Sequence, residues 1–402
     1  MRRVYSNALT TTSGGNISAM DERGHIFITP SGIDKGSLTI DDIVEVLPDG
    51  TKIGRHAPSM ELPFHSNIYK TCKDIKAVVH AHAPAAVAYA CMNIAPDSRC
   101  ARVYRDALGE IITTKYALPG SEKLGNIVMG RFEQGYRSVM MDNHGATVGA
   151  QTMAEALMKY ETLDYLCRTL FHAAGLGGAV QIKTPIPLPK QEYCVTELKA
   201  DEDKKAEIVS FIKRSYRGQL VGGGWGIMAL RDGDGFLFNP TTVSPEDLSD
   251  ENVIKYENGK VSAPSDCGYL PLIDEIFKRN PEAQAVFLSM PAATMGFAVA
   301  NQLLDARLIP ESYIMLKDVA RLPYQAMSDF GKIACTLSTK TPAVMIDNEC
   351  AITIGKNATK AFDRMEVLDY SARSVLLAKA VAKINPINEE QVAEIDAVFN
   401  GW

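Results

Sequence analysis

Two kinds of apolar pattern alternate along this chain. Continuous runs such as Val78-Val79-His80-Ala81-His82 and Ser138-Val139-Met140-Met141 read as strands, and Gly24-His25-Ile26-Phe27-Ile28 predicts a shorter one closed by the turn Thr29-Pro30-Ser31-Gly32. Elsewhere apolar residues return at helical spacing. Leu62, His65, Ile68 and Tyr69 predict a helix with Ser59 as its N-cap and Glu61 in the first turn, where the helix dipole favours a carboxylate. Pro84 with Ala85-Ala86-Val87-Ala88 suggests a helix packed closely on a sheet. Thr152 and Glu155 form a capping box before a helix from about Met153 to Leu170. Gly175 to Pro189, with prolines at 185, 187 and 189, reads as a linker, and Lys204 to Tyr216 is helix-like.

The pattern then repeats. The segment 139 to 168 matches 344 to 373 at a constant offset of 205, pairing Asp142-Asn143 with Asp347-Asn348 and Leu163-Asp164-Tyr165 with Leu368-Asp369-Tyr370. At an offset of 208, Leu62-Pro63 pairs with Leu270-Pro271 and Ala77-Val78 with Ala285-Val286. Two copies of one α/β domain are therefore expected in tandem, over residues 1–190 and 191–402.

Composition narrows the function. The chain has 402 residues, 46% hydrophobic and 22% charged, as in ordinary globular proteins. It lacks a run of 18 apolar residues, and Met1-Arg2-Arg3-Val4-Tyr5-Ser6 lacks the apolar core of a signal peptide, so a soluble cytoplasmic protein without a membrane partner is expected. A net charge of -6 argues against nucleic acid. The eight cysteines are scattered without paired spacing, which predicts free thiols. All seven histidines lie before residue 173, so metal chemistry, if present, belongs to the first copy.

His80 and His82 stand two apart at a strand end, where residues i and i+2 face the same way, so both rings can converge on one ion. The spacing names the site better than the metal, and a structural role for two such histidines is the competing reading. Comparison of the copies weighs against it. Glu61 faces Tyr269, His80 faces Leu288, His82 faces Met290 and His144 faces Glu349, while the core residues around them are shared. Packing residues would not be replaced as a set, so the first copy is expected to carry a site that the second has lost. His65, four residues after Glu61, is expected to be a structural histidine, and His25 and His56 have no evident partner.

Six stretches in order, Gly15-Asn16-Ile17-Ser18, Ile28-Thr29-Pro30-Ser31-Gly32, Ser59-Met60-Glu61, His80-Ala81-His82, Tyr116-Ala117-Leu118-Pro119-Gly120 and Asn143-His144-Gly145, resemble the class II aldolase/adducin family, whose type enzyme is L-fuculose-1-phosphate aldolase. The resemblance implies an α/β/α sandwich around a mainly antiparallel sheet. It implies His80, His82 and His144 as ligands of Zn2+ or another divalent metal, and Glu61 as catalytic acid/base. Tyr116 would serve as proton donor to a neighbouring subunit, and Asn16, Ser31, Gly32 and Ser59 would lie at the phosphate of a sugar-phosphate substrate. Three imidazoles leave a fourth zinc position open, as catalysis requires. The implied activity is retro-aldol cleavage of a ketose or ketose phosphate. Dehydration, decarboxylation or epimerisation on the same fold, or an adducin-like scaffold, are the alternatives. Met60 stands where the aldolases usually carry a second serine, which removes one hydroxyl from the phosphate end. The first copy also has little chain in which to form the helix that opens the second. The assembly implied is a pseudo-fourfold ring of two tandem chains.

Overall fold

The computed structural model describes residues 1–399, which divide into two compact units. One comprises Met1–Arg99 with Val103–Arg168, the other Cys100–Arg102 with the chain from Thr169 onward.

The first unit opens on a five-residue helix, α1 (Arg2–Ser6), and builds strands β1 (Asn16–Met20), β2 (Ile26–Ile28), β3 (Val44–Val46) and β4 (Lys52–Ile53). Helix α2 (Leu62–Thr71) leads into β5 (Ala77–Ala81) and α3 (Pro84–Met92). After α4 (Arg102–Leu108) come β6 (Ile111–Thr114), α5 (Glu122–Glu133), β7 (Ser138–Met141), β8 (Gly145–Ala150) and α6 (Met153–Ala174). The strands form one sheet in the order β4-β3-β2-β1-β5-β8-β7-β6, antiparallel except between β6 and β7. Strand alternation sends Val78, Val139 and Met141 to one face, where they pack with Phe64, Ile68, Tyr69, Leu124, Val128 and Phe132 of α2 and α5. Gly149, paired with Val78, lies on the same face, and a β-carbon there would come within 2.7 Å of the Phe132 ring. Helix α3 lies against β7 and β8 through its small residues.

The helix before β5 starts differently from expectation. Glu61, not Ser59, occupies the N-cap of α2, and the Ser59 hydroxyl accepts from the Glu61 N–H at 3.2 Å. Pro63 at the second helical position tolerates this because its missing N–H is one of the unpaired donors of a first turn. The Glu61 carboxylate is thereby released from capping. At α6 the capping box forms with a shift, since the Thr152 hydroxyl accepts from the Glu155 N–H while the Glu155 carboxylate reaches the Gln151 N–H. His25 and His56 do have partners, Glu45 at 2.7 Å and Asp42 at 2.9 Å.

The second unit repeats this plan. It contains β9 (Cys194–Val195), α7 (Glu202–Arg217), β10 (Ile227–Asp232), β11 (Gly235–Phe238), β12 (Ile254–Glu257), β13 (Lys260–Val261), α8 (Leu270–Arg279) and β14 (Ala285–Ser289). There follow α9 (Ala292–Val299), α10 (Pro310–Leu316), β15 (Val319–Leu322), α11 (Phe330–Thr336), β16 (Ala343–Ile346), β17 (Cys350–Gly355), α12 (Ala358–Lys379) and α13 (Glu389–Phe399). The sheet order is β15-β16-β17-β14-β10-β11-β12-β13-β9, so the central order matches the first unit with β9 added at the edge. All eight cysteines are free thiols, and among the described residues no helix is long and apolar enough to cross a membrane.

Candidate metal centre

Three neighbouring strands of the first sheet bring the candidate residues to one end. Asn16 on β1 pairs with His80 on β5, and His80 pairs with Thr147 on β8. His82 follows β5 by one residue. His144 sits in the tight turn between β7 and β8, where Asn143 takes a left-handed conformation (φ 56°) and the His144 N–H returns to the Met141 carbonyl. Glu61 enters from the start of α2.

The three rings meet. His80 and His82 present their Nε2 atoms to one another at 3.0 Å, and ring centroids lie 4.8 to 5.1 Å apart across the trio. One nitrogen from each ring falls within 4.8 Å of the other two. The Glu61 carboxylate completes the group, with Oε2 3.2 Å from His80 Nε2 and Oε1 3.4 Å from His144 Nε2. His80 is wholly buried, and His82 and His144 are partly open to solvent.

The hydrogen bonds around His80 decide the sense of this arrangement. Its Nδ1 lies 3.0 Å from the Ala146 carbonyl, an atom that can only accept, so Nδ1 carries the proton. In the neutral ring the Nε2 lone pair must then point at His82 Nε2 and Glu61 Oε2. The Glu61 oxygen can only accept, so two electron pairs face each other at 3.2 Å, an arrangement that a cation between them would satisfy. Glu61 Oε1 and His144 Nδ1 are buried and make no hydrogen bond among the described residues, as expected where one polar partner is still to be supplied. Burial, reinforced by the neighbouring His80, lowers the pKa of His82 to about 3 and of His144 to about 4, which keeps both rings in the neutral, ligating form. For Glu61 burial pushes upward, but His80, His144 and the Asn16 amide outweigh it and hold the carboxyl ionised. The donor set of neutral imidazoles and a carboxylate fits a divalent transition metal.

A buried chain of side chains orients the carboxylate. Asn16 Nδ2 donates to Glu61 Oε2 at 2.8 Å, and Asn16 Oδ1 lies 2.5 Å from His65 Nε2. His65 Nδ1 is 2.7 Å from the Ser18 hydroxyl, which is 2.6 Å from the Tyr69 hydroxyl. Since Asn16 Oδ1 can only accept, His65 Nε2 donates and its Nδ1 accepts from Ser18. Full burial lowers the His65 pKa to about 3, in keeping with this neutral role.

The remaining candidates divide. Ser31 and Ser59 lie on adjacent antiparallel segments joined at Pro30 and Pro58, with the Ser31 N–H bonded to the Ala57 carbonyl and the Ser59 N–H to that of Thr29. Gly32 turns there with φ 69°. Asn16 spends both ends of its amide on Glu61 and His65. Tyr116 is 57% exposed in the loop between β6 and α5.

Several contributors had no readable signal. Lys35 is buried, its ammonium bonded to the Pro30 carbonyl at 2.6 Å, yet in sequence it is an ordinary loop lysine. Thr147, 3.1 Å from His80 Nδ1, is placed only by strand register. Gly14 and Gly145 admit the His82 ring, since a β-carbon on either would come within 2.9 Å of it.

In the second unit the corresponding positions are filled. Leu288 and Met290 are buried, and the buried Glu349 carboxylate receives the Tyr269 hydroxyl and the Arg102 guanidinium, with Arg102 Nε 3.1 Å from Oε2. Among the described residues of this unit, no three His, Cys, Asp or Glu side chains are grouped to share an ion.

A family model described as "Class II Aldolase and Adducin N-terminal domain" matches the chain twice, over residues 1–171 and 206–376. A 3-oxo-tetronate 4-phosphate decarboxylase of Haemophilus influenzae is 26% identical over 178 residues, 43% of this chain and 84% of that protein. A 5-deoxy-D-ribulose 1-phosphate aldolase of Bacillus thuringiensis serovar kurstaki is 28% identical over 191 residues, 44% of this chain and 83% of its own. An L-fuculose phosphate aldolase of Methanococcus maripaludis is 31% identical over 166 residues, 40% of this chain and 87% of its own.

Two outcomes follow from this geometry. Elemental analysis of the purified chain should find about one divalent transition-metal ion per chain. His82→Ala should lower this at least tenfold and Met290→Ala should leave it unchanged; an equal loss in both would refute the one-site assignment. In the metal-free chain, the unfolded state takes up a proton at His65 near pH 6.5, whereas the folded state resists it to about pH 3. That contribution is complete above pH 6.5 and is lost as pH falls toward 3. The stability difference between wild type and His65→Phe in urea denaturation should therefore shrink on acidification, and a constant difference from pH 8 to 4 would contradict it.

Proposed function

The chain belongs to the class II aldolase and adducin N-terminal domain family through both its halves, and from that premise we propose that the first half is a divalent-metal-dependent lyase acting on a small phosphorylated ketose. The observation that carries the reading is the convergence of His80, His82 and His144 on the side of the buried, ionised Glu61 carboxylate. The aldolases and the decarboxylase to which the chain is similar act on sugar-derived phosphates by their names. Cleavage of a carbon–carbon bond beside a carbonyl is common to both reaction types.

His80, His82 and His144 would hold zinc or another divalent ion, which when bound supplies a Lewis acid to the substrate carbonyl. The protein's own groups account for the rest. In retro-aldol cleavage the leaving fragment becomes an aldehyde as its hydroxyl loses a proton, and the bonding electron pair passes to the carbonyl oxygen of the other fragment. Glu61, pinned by Asn16 on one oxygen, enters the reaction as a carboxylate, takes up the proton that the hydroxyl releases and returns it to the carbon where the bond broke. The Ser31 hydroxyl, the Gly32 N–H and Ser59 form the anion end, and the buried Lys35 ammonium beneath the Pro30 carbonyl makes the potential of that turn positive. Met60, 71% exposed beside Ser59, offers an apolar surface where a hydroxyl would otherwise lie. Tyr116, 57% exposed, would serve as the proton-donating group at the aldehyde oxygen in a neighbouring chain of a pseudo-fourfold ring.

Decarboxylation is the second reading, favoured by the similarity to the 3-oxo-tetronate 4-phosphate decarboxylase. It leaves the same electron pair for Glu61 to protonate but releases carbon dioxide.

Incubation of metal-loaded protein with ketose 1-phosphates, free ketoses and 3-oxo acid phosphates should release aldehyde from a ketose phosphate. Carbon dioxide instead would select the second reading, and no product from any compound would refute both. Glu61→Gln should retain the metal and lose about 10²- to 10⁴-fold in kcat, the range typical of general acid/base groups. Sedimentation should give a dimer of chains, and a monomer would remove the role assigned to Tyr116.

A further inference from the structure

The second unit has lost the metal site, yet it has gained charge elsewhere. A cavity of about 760 Å3, within the range of small-molecule sites, opens where the end of β17 and the first turns of α12 meet α10, β15 and α13. Five cationic side chains line it: Lys317, Lys340, Lys356, Lys360 and Arg364. Three acids, Glu282, Asp318 and Asp396, share the lining, so the cations are in excess.

The duplication again supplies a comparison within one chain. At the same offsets as the flanking elements, Lys317, Lys340, Lys356 and Lys360 correspond to Gly109, Gly135, Gln151 and Glu155, while Arg364 corresponds to Lys159. The acids Glu282 and Asp318 correspond to Asp74 and Glu110. Negative charge at this place is therefore common to both copies, and four of the five positive charges belong to the second alone. A solvated surface acquires no reason to collect four lysines around one concavity, because like charges gathered there repel one another.

Some of this charge is already engaged. Lys317 reaches Asp396 at 3.1 Å, and Asp396 also accepts the Tyr313 hydroxyl at 2.9 Å. Arg364 donates to the Met315 and Ile354 carbonyls at 3.2 and 2.7 Å, and the adjacent Asp363 carboxylate, 3.8 Å from Lys360 Nζ, offsets part of the charge of both. Lys340 and Lys356 are exposed and form no ion pair among the described residues. Compact ammonium groups spread around a cavity suit a tetrahedral dianion better than a planar carboxylate, which a single guanidinium fork would grip. Tyr313, Ala283 and Ile354 give the same cavity an apolar wall for an organic body.

We propose that this cavity of the second unit binds a small organic molecule through its phosphate group, in a site separate from the metal centre of the first. The assignment does not rest on the lyase reading, since it uses no residue of the first unit.

The test is calorimetric titration of the full chain at low ionic strength with inorganic phosphate, ribose, ribose 5-phosphate and ADP. A phosphorylated organic probe should bind at least tenfold more tightly than inorganic phosphate, and ribose should not bind. Binding should persist in His82→Ala and weaken at least tenfold in the double variant Lys340→Ala/Lys356→Ala, whose exposed side chains take no part in packing; a thermal melt confirms that this variant folds. Silence from every probe would overturn the proposal. So would binding that the double variant leaves unchanged, loss of binding in His82→Ala, or inorganic phosphate binding as tightly as either organic phosphate.

Discussion

The hydrogen bond from His80 Nδ1 to the Ala146 carbonyl sets the chemistry of the first unit. Because a carbonyl cannot donate, the bond places the imidazole proton on the side away from the site and aims the other lone pair into it. His82, His144 and Glu61 then bring further electron pairs to the same small volume. Such a cluster is electrostatically unfavourable by itself, and the fold pays for it with register: β1, β5 and β8 are locked side by side, so Asn16, His80 and Thr147 cannot drift apart. The chain from Tyr69 through Ser18, His65 and Asn16 extends that rigidity to the carboxylate.

The two halves show how one sheet plan carries opposite electrostatic solutions. In the first, a carboxylate and three imidazoles converge on one small volume that could hold a cation. In the second, the carboxylate of Glu349 is satisfied by a guanidinium and a phenol, and two apolar side chains take the places of ligands. A buried carboxylate needs a partner in either case. The second unit found its partner within the polypeptide, and its basic cavity lies on different elements altogether.

Much of the fold was legible. The strands at β5 and β7 and the helices α2 and α6 follow from apolar runs and helical spacing, and the repeat follows from residue identity at fixed offsets. The start of α2 departs from the sequence expectation, since Ser59 is a good N-cap only in isolation. Glu61 takes the N-cap position instead, with its N–H bonded to the Ser59 hydroxyl and its carboxylate turned to Asn16, a contact between residues far apart in the chain that leaves no local trace. His25 and His56 looked partnerless because Glu45 and Asp42 come near them only once the chain has folded. Lys35 could not be distinguished from a solvent lysine, since its burial depends on how the loop after β2 folds back.

The residue order alone determined that His80 and His82 share a face, because strand periodicity is a local property of the backbone. By comparison of its own two halves it also determined that Glu61 and His144 belong with them. Only the tertiary structure decided which imidazole nitrogen faces the site, which side chains hold the carboxylate, and where the lysines of the second half gather. Those outcomes depend on register and distance between residues far apart in the chain, and no local pattern encodes either.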